Sequence, residues 1–349
     1  MIAIAARPLG ISCKVVDPSK DAPAASVAEH ICADYSDPIA ITKLVDEIDF
    51  LTFEFENVPA AALKHVPSTL SVSPPIEALQ SSQDRLQEKQ LFNSLGIGTT
   101  EYRAVSSANE IEAAAKELGY PCILKTRRLG YDGKGQSVLK SEADIPTALD
   151  QIESRELILE AFFPFDRELS IIGVRSDTGE IRCYPLVENI HRGGILRTTI
   201  APAAEVSATT KQKAEEYFGT LAEHLSYVGV FCIELFVKDD LIVANEFAPR
   251  VHNSGHWSIE GTSCSQFENH ARAVCKQPLG QTSVKTPSVM VNIIGEFPSK
   301  EELSRVDGVY IHDYGKAPRT GRKLGHATIC DSDAEELQRK RKVLEAICN

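Results

Sequence analysis

The sequence lacks the features typical of membrane, secreted and nucleic-acid-binding proteins. No apolar run approaches the roughly 20 residues that a membrane-spanning helix needs, and no basic segment with a signal-peptide core stands at the N-terminus. The net charge of −12 argues against nucleic-acid binding, which depends on a clustered excess of Lys and Arg. We therefore expect a globular enzyme with small-molecule partners, and neither nucleic-acid nor membrane partners.

The cysteines show no pattern typical of a metal site or a disulfide framework. The nine cysteines include no CxxC pair and no zinc-ligand spacing, and their number is odd. Most of them lie within apolar stretches such as PCILK and VFCIELF, where a reduced cysteine packs as a small hydrophobic residue. We therefore expect reduced cysteines and a cytoplasmic protein.

The length of the chain and the order of its predicted elements indicate several domains of the α/β and α+β classes. A chain of 349 residues is too long for one compact core. We predict a truncated Rossmann-like domain at 1–80, a linker helix and small antiparallel domain at 81–163, a third domain at 164–290 and a small β-rich subdomain at 291–349.

The first region reads as a parallel α/β domain that begins within a helix. MIAIAARPLGISCKVVD predicts the last turns of a helix, a stop at Gly10 and a strand that ends at Asp17. Because strand, turn and helix form the repeating unit of such domains, we expect one strand and one turn to precede Met1. FLTFEFENVP and TLSVSPPIEAL predict two further strands, with functional turns at their carboxyl ends.

The second region predicts a small antiparallel sheet with helices on one face. A capping-box pattern from Ser81 to Asp84 predicts a helix that carries Arg85 and Lys89. A second capping box at Ser107 predicts another helix, and YPCILK, QSVLK and RELILEAFF predict strands. From Ser107 onward, the predicted order is helix, strand, glycine-rich loop, strand, helix and strand.

The stretch KTRRLGYDGKGQ, which begins at Lys125, places four cations around three glycines. Cations at this density repel one another unless an anion lies among them, and the glycines let the backbone approach that anion closely. The loop joins two predicted strands and lacks the GK[ST] ending, so it differs from a P-loop. We expect a flap over a polyphosphate, to which Lys125 adds a point charge; a solvated hairpin is the alternative.

A pair of acidic residues in VGVFCIELFVKDDLIVANEFAPR predicts a metal site. A turn at 238–240 would place Glu234 opposite Ala244, with Glu246 as its diagonal neighbour about 7–8 Å away on the same face. Two carboxylates among apolar residues repel unless a cation lies between them, and oxygen ligands shared with phosphates are typical of magnesium. Asn245 would point to the other face unless a bulge brings it in. An exposed charged hairpin is the alternative.

The segment APRVHNSGHW follows this hairpin directly. In an extended segment Arg250 and His252 share a face, and both would lie beside the predicted metal. This placement suits the binding of an anion that receives or carries a phosphoryl group.

Together these features resemble the ATP-grasp superfamily, and within it the 5-(carboxyamino)imidazole ribonucleotide synthase family of purine biosynthesis. The resemblance covers nearly the whole chain. It is carried by EFENVP, GYDGKGQ, ELSIIGVR, NEFAPRVHNSGHWSIEGTSCSQFENHARAV and GKAPRTGRKLGHAT. NEFAPRVHNSGHW is highly specific, whereas GYDGKGQ is shared with neighbouring families. The family begins with a strand and a GGGQLG-type turn, and this sequence starts after that turn.

The resemblance implies ATP-grasp architecture, with the small domain at 81–163 as the lid and the domain at 164–290 as the catalytic domain. It also implies the residues of the site. ATP would be bound by Arg85, Lys125, Gly130, Tyr131, Asp132, Gly133, Lys134, Gly135, Gln136, Glu160, Ala161, Phe162, Phe163, Glu168, His191, Asn245 and Glu246. The ribonucleotide would be bound by Glu56, Tyr131, Asp132, Lys134, Lys316 and Arg322, with Glu54 as the alternative to Glu56. Magnesium would be bound by Glu234 and Glu246, and the catalytic residues would be Arg250, His252 and Lys323.

The implied reaction converts ATP, bicarbonate and aminoimidazole ribonucleotide into the carboxyamino product, ADP and phosphate, with Mg²⁺ and through carboxyphosphate. The family resemblance further implies a homodimer. Two other functions remain open at the level of sequence. One is another ATP-grasp ligase, either a formate- or glycine-using purine enzyme or a biotin carboxylase. The other is a non-catalytic ATP-binding module, which the intact set of Glu234, Glu246 and Arg250 argues against.

Overall fold

The computed structural model describes residues 1–130 and 134–348. The helices in these two ranges are α1 Ile2–Ala6, α2 Pro38–Leu44, α3 Ile76–Ser82, α4 Arg85–Ser94, α5 Ala108–Leu118, α6 Ile145–Gln151, α7 Ala208–His224, α8 Ser258–Gly261, α9 Gln266–Val274, α10 Lys300–Leu303 and α11 Ala334–Cys348. None of these helices combines the length and apolarity that crossing a membrane requires.

The strands of the described residues outnumber these helices. They are β1 Lys14–Asp17, β2 Glu29–Cys32, β3 Phe50–Leu51, β4 Ser71–Val72, β5 Tyr102–Val105, β6 Cys122–Thr126, β7 Gln136–Leu139, β8 Leu157–Ala161, β9 Arg167–Arg175, β10 Ile181–Cys183, β11 Val187–Arg192, β12 Ile195–Ala201, β13 Gly229–Lys238, β14 Leu241–Ala248, β15 Ser288–Ile294, β16 Tyr310–Asp313 and β17 Lys323–Cys330.

Two short parallel strand pairs form the N-terminal region. β1 pairs with β2, and β3 pairs with β4. A cavity of about 1040 Å³ is lined by both β1 and β3 and by residues of α9 such as His270. The chain begins with α1, passes the left-handed Gly10 and enters the strand that ends at Asp17, so the predicted order of helix, stop and strand is confirmed.

A four-stranded antiparallel sheet with the order β5–β8–β6–β7 forms the second region. Helices α5 and α6 pack on it through a buried cluster that includes Ile111, Ile145 and Leu159. Ser107 accepts a hydrogen bond from the Glu110 N–H, as predicted for the start of α5. The antiparallel sheet is confirmed, and β5 is an additional strand that the sequence pattern did not predict.

The helix predicted to begin at Ser81 is in fact two helices. α3 ends at Ser82, and α4 begins at Arg85 with Asp84 as its N-cap, which accepts from the Leu86 N–H at 3.0 Å. The predicted capping box was wrong because Asp84 is itself a preferred N-cap residue and acts as the cap rather than as the residue three positions inside the helix.

A nine-stranded sheet dominates the rest of the molecule, with the order β14–β13–β9–β11–β12–β15–β17–β16 and β10 beside β9. Because β12 pairs with β15, this sheet runs through the predicted boundary at 290/291, which falls inside β15. The boundary at 80/81 likewise falls inside α3. The division into four domains otherwise stays a prediction.

The core of this sheet determines which face of β13 is left for the site. Ile233, Leu235 and Val237 are buried in one apolar cluster, which also contains Phe218 from α7. Because strand residues alternate between faces, Glu234 must face the opposite side. Phe218 stacks on Phe231 with ring centroids 3.9 Å apart, so this apolar layer is closely packed.

Candidate active site

The two predicted metal-binding carboxylates lie directly opposite each other on β13 and β14. Glu234 pairs with Glu246, whereas Leu235 pairs with Ala244, so the register shifts at a β-bulge that contains Asn245. The predicted diagonal placement, with Glu234 opposite Ala244, was wrong. The bulge adds one residue to β14 and places the two glutamates directly opposite each other. The Cβ atoms of directly opposed residues in antiparallel strands lie about 4.5–5.5 Å apart.

The same bulge leaves a polar atom of Asn245 without a partner. Its Oδ1 is buried and accepts no hydrogen bond from any described residue. A buried acceptor of this kind is costly unless something absent from the structure, such as a water or an ion, satisfies it.

Each of the two carboxylates is held by a cationic or polar side chain. Arg85 Nη1 donates to Glu246 Oε2 at 2.8 Å, and His252 Nε2 lies 3.0 Å from Glu234 Oε1. Burial by itself raises the pKa of Glu234, but the hydrogen bond and charge of His252 outweigh it and lower that pKa to about 2. Glu234 is therefore ionised and available to a cation at neutral pH.

His252 is fixed through its second ring nitrogen. Its Nδ1 accepts from the Ser254 N–H at 3.3 Å and lies 2.7 Å from Ser254 Oγ. In the neutral ring Nε2 then carries the hydrogen and donates it to Glu234. Ser254 thus sets the tautomer of His252.

The start of α4 connects two parts of the site. Asp84 accepts from Arg127 at 3.0 and 2.6 Å and pairs with Arg128 at 3.1 Å, and these two arginines lie just before the glycine-rich loop. Glu88 Oε1 accepts from the Phe247 N–H at 2.6 Å, next to Glu246. This helix therefore joins the loop to the strand that carries the carboxylates.

A buried group of two lysines and one carboxylate lies between α4 and the four-stranded sheet. Lys125 Nζ donates to Glu160 Oε2 at 3.0 Å, and Lys89 Nζ lies 3.3 Å from the same oxygen. Lys89 also donates to Thr100 Oγ1 at 3.2 Å. Burial by itself raises the pKa of Glu160, but the charges of Lys125, Lys89 and Arg85 lower it to about 2.

The glycine-rich loop joins β6 to β7, as predicted, because Lys125 pairs with Gln136 across an antiparallel hairpin. Gly135 has a φ of +70°, and a Cβ there would lie 2.7 Å from Thr126 Oγ1. A Cβ on Gly130 would lie 3.1 Å from the same oxygen. Gly135 therefore needs to be glycine for its close packing on Thr126 and its positive φ, and Gly130 packs closely on the same side chain. The predicted contacts of Tyr131, Asp132 and Gly133 lie outside the described residues, and Lys134 is exposed.

The predicted hinge around the adenine base lies at the end of β8. Ala161 is partly exposed, and Phe162 is more exposed than it. The ring of Phe163 stacks on that of Phe236 with centroids 6.5 Å apart. Phe236 lies two residues beyond Glu234 on β13, so these rings share a sheet face with the carboxylates.

Glu168 and His191 meet on the same sheet. His191 Nδ1 lies 3.0 Å from Glu168 Oε2. Burial by itself lowers the pKa of His191, but the adjacent Glu168 carboxylate and the charges of Glu234 and Glu246 raise it above its ordinary value. The same negative field favours a cation beside the two carboxylates.

The side chains of Arg250 and His252, which were predicted to lie together beside the metal, contact different residues. His252 contacts Glu234, whereas Arg250 pairs with Glu56 and donates to the Val251 carbonyl at 2.9 Å. Glu54 instead lies 3.9 Å from the N-terminal amine. Arg250 thus connects the hairpin to the predicted ribonucleotide side.

The three basic candidates of the tail lie in different surroundings. The charge of Lys323, the first residue of β17, contributes to the low pKa of Glu234. Arg322 Nη1 donates to the Ala317 carbonyl at 3.2 Å. Lys316 Nζ lies 5.4 Å from the centre of the Tyr314 ring and lines the cavity beside β1 and β3. The charge of Lys323 therefore reaches Glu234, one of the two carboxylates of the hairpin.

Comparison with known families divides the chain in the same order. A ribonucleotide synthetase preATP-grasp domain model matches residues 1–83, and an ATP-grasp domain model matches residues 90–267. A phosphoribosylaminoimidazole carboxylase C-terminal domain model matches residues 288–340.

Comparison with individual proteins covers almost the whole chain. The N5-carboxyaminoimidazole ribonucleotide synthase of Pseudomonas aeruginosa is 46% identical over 347 residues, which are 99% of this chain and 96% of that protein. This chain belongs to the N5-carboxyaminoimidazole ribonucleotide synthase family. Members of this family are ATP-grasp ligases.

Solved structures of family members have the same fold. The crystal structure of the Thermus thermophilus synthetase matches with a TM-score of 0.95 and 44% identity, over 100% of this chain and 95% of that one. The Aspergillus clavatus synthase, solved with ADP and 5-aminoimidazole ribonucleotide, matches with a TM-score of 0.91 and 31% identity, over 99% and 96%. The predicted architecture is therefore confirmed.

Three residues that support the candidate site were not predicted as site residues from the sequence. Asp84, Glu88 and Lys89 are buried polar side chains within 2% exposure, and all three act on distant segments. Their spacing around Arg85 on one helix was the available signal, since residues three or four apart share a face. Their partners lie far away in sequence, so no local pattern could identify them.

Proposed function

We propose that this chain carboxylates 5-aminoimidazole ribonucleotide with bicarbonate, using ATP and forming carboxyphosphate, in de novo purine biosynthesis. The observation that carries the proposal is the full-length similarity to the synthase family, one structure of which holds ADP together with 5-aminoimidazole ribonucleotide. The direct pair of Glu234 and Glu246 beside a hinge and a glycine-rich loop supports the same reading.

ATP would lie between the four-stranded sheet and the β13–β14 hairpin. Lys125 and Arg85 would contact its phosphates, with the loop at 130–136 beside them. The segment at 160–163 would surround the adenine, and Glu168 and His191 would border the nucleotide. In this structure Lys125 and Arg85 pair with Glu160 and Glu246, so nucleotide binding would exchange carboxylate partners for phosphate oxygens.

The hairpin suits Mg²⁺. Glu234, Glu246 and the unpartnered Oδ1 of Asn245 offer three oxygen donors, and oxygen ligands completed by substrate phosphates are what Mg²⁺ prefers. When bound, Mg²⁺ would neutralise charge on the phosphates during phosphoryl transfer. Arg85 supplies the positive charge next to Glu246 in this structure, and it would contact the phosphates when Mg²⁺ and the nucleotide are bound.

The chemistry asks mainly for positioning and charge stabilisation. A bicarbonate oxygen attacks the γ-phosphorus, ADP leaves, and the carbon of the resulting carboxyphosphate is then taken by the substrate amine with loss of phosphate and a proton. Arg250, which Glu56 orients, would hold bicarbonate in line. His252 would hold Glu234, and Lys323 would contact the ribonucleotide side. Lys134, Lys316 and Arg322, with Tyr131 and Asp132, complete the proposed substrate contacts.

The wider setting of the enzyme also belongs to this proposal. We expect a cytoplasmic homodimer, with small-molecule substrates as its partners. The second candidate function is another ATP-grasp ligase that uses a different acid. It shares the nucleotide residues and differs in the acid and the acceptor.

Phosphate release under defined substrates tests the function. We expect ATP turnover with bicarbonate and aminoimidazole ribonucleotide, and none with formate or glycine and their own ribonucleotides. Arg250→Ala should abolish the ribonucleotide-dependent turnover, whereas Arg155→Ala, at an exposed position outside the proposed site, should retain it. Near-normal turnover in folded Arg250→Ala would remove Arg250 from the mechanism, and faster turnover with formate or glycine would favour the second candidate.

A further inference from the structure

We propose that Lys89 is a positioning residue for ATP binding: it holds Glu160 as a charged, ordered carboxylate so that Lys125 can leave Glu160 for the nucleotide phosphates. The inference rests on the proposed function, in which Lys125 is a phosphate contact. Because the Lys89 side chain is 1% exposed, the proposed role is to position Glu160 rather than to contact a substrate.

Two buried lysines share one carboxylate oxygen. Lys125 Nζ lies 3.0 Å and Lys89 Nζ 3.3 Å from Glu160 Oε2. The side chains of Lys89 and Glu160 are 1% and 3% exposed, so water does not compensate these charges. One lysine would suffice to neutralise one carboxylate, and the second is in excess while no phosphate is bound.

The two lysines differ in what else holds them. Lys89 lies on α4 and also donates to Thr100 Oγ1 at 3.2 Å, so it has a second partner that stays when a nucleotide enters. Lys125 lies at the end of β6, immediately before Thr126 and the glycine-rich loop. Within the described part of the chain, the Lys125 ammonium donates a hydrogen bond to Glu160 alone. Lys125 is therefore the lysine placed to move.

Removal of Lys125 from Glu160 would leave a buried carboxylate that needs another cation. A buried charge that loses its partner is strongly unfavourable. Glu160 Oε1 already has no hydrogen-bond partner in the described part of the chain, so the carboxylate depends on what contacts Oε2. Lys89 remains in place and meets this need. Without Lys89, Glu160 and the phosphates would compete for Lys125.

This competition predicts a specific defect in Lys89→Met. We expect the KM for ATP to rise at least tenfold, with a much smaller change in kcat, because loss of a hydrogen bond to a charged group weakens binding by about one to two orders of magnitude. Calorimetric affinity for ATP should fall to the same extent, whereas affinity for adenosine should change less than threefold, because adenosine has no phosphate for Lys125. Lys116→Met, at an exposed lysine of α5, should match the wild type.

A second variant separates this role from a structural one. In a Glu160→Gln background there is no charge for Lys89 to neutralise, so adding Lys89→Met should change ATP affinity less than threefold. The neutral pair also keeps the experiment possible if Lys89→Met alone does not fold. An equal loss of ATP affinity in both backgrounds, an equal loss for adenosine, or an unchanged ATP affinity in Lys89→Met would each overturn the inference. These binding measurements need no turnover, so they stand apart from the test of the overall reaction.

Discussion

Asp84 should contribute more to stability than any surface carboxylate, because it makes two kinds of interaction at once. Its side chain is 1% exposed, and it both caps α4 and holds Arg127 in a two-pronged ion pair. Loss of the cap costs about 1 kcal/mol, and loss of the charged hydrogen bonds costs about 2 kcal/mol. Arg127 and Arg128 are 22% and 45% exposed, so water hydrates them after the change and limits the loss.

The two contributions can be separated by comparing Asp84→Ala with Asp84→Asn. Asparagine caps a helix as well as aspartate does, so Asp84→Asn should lower the free energy of unfolding by about 2 kcal/mol and Asp84→Ala by about 3 kcal/mol. Denaturant unfolding followed by circular dichroism measures both values, with Asp150→Asn at an exposed site of α6 as the control. Losses below about 0.5 kcal/mol, the range of ordinary surface substitutions, would refute the reasoning.

Three further predictions concern packing, pH and the hairpin. Gly173→Ala should lower stability by about 1–3 kcal/mol in denaturant unfolding, because its Cβ would lie 2.5 Å from the Phe218 ring. Burial lowers the pKa of His270 to about 4, so protonation of this ring is less favourable in the folded than in the unfolded protein. The free energy of unfolding should therefore fall by about 3 kcal/mol as the pH falls from 6.5 to 4. Glu88→Ala should reduce ATP turnover at least tenfold and raise the Mg²⁺ concentration needed, because it frees the Phe247 N–H beside Glu246.

Each of these predictions has a matched control. Gly219→Ala, where a Cβ meets no atom within 4 Å, should be neutral or slightly stabilising, and an equal loss there would argue against the packing account. His270→Gln should flatten the acid limb of the stability curve, and an unchanged limb would contradict it. Glu88→Gln keeps an acceptor for the Phe247 N–H and should retain more activity than Glu88→Ala, whereas Gln87→Ala on the exposed side of α4 should be silent.

The sequence predicts elements well where the signal is local. The cap at Ser107, the strands around the glycine-rich loop and the hairpin that carries both carboxylates are short-range patterns, and the structure confirms them. A candidate cation site can be predicted from such local patterns too. Two carboxylates on one face of a hairpin repel each other unless a cation lies between them, whatever the rest of the fold.

The errors arise where the outcome depends on long-range contacts. The bulge at Asn245 was considered but not predicted, because strand alternation carries no information about an extra residue. Arg85 and Glu88 from α4 bind the two residues that follow it, Glu246 and Phe247. The break between α3 and α4 was not predicted for a related reason. Asp84, which caps α4, is held in place by Arg127, more than 40 residues away in the sequence. The sheet that crosses 290/291 depends on pairing between β12 and β15, which no local pattern records.

In the proposed reaction, this site uses ATP to activate bicarbonate before the carbon reaches the amine. The reaction can be run with ¹⁸O-labelled bicarbonate and the released phosphate analysed. The bicarbonate oxygen that attacks the γ-phosphorus stays bound to phosphorus when the carbon leaves, so the label reports this step. With aminoimidazole ribonucleotide present, we expect mass spectrometry to find one bicarbonate oxygen in each phosphate formed. Phosphate whose fourth oxygen comes from water rather than from bicarbonate would argue against this route.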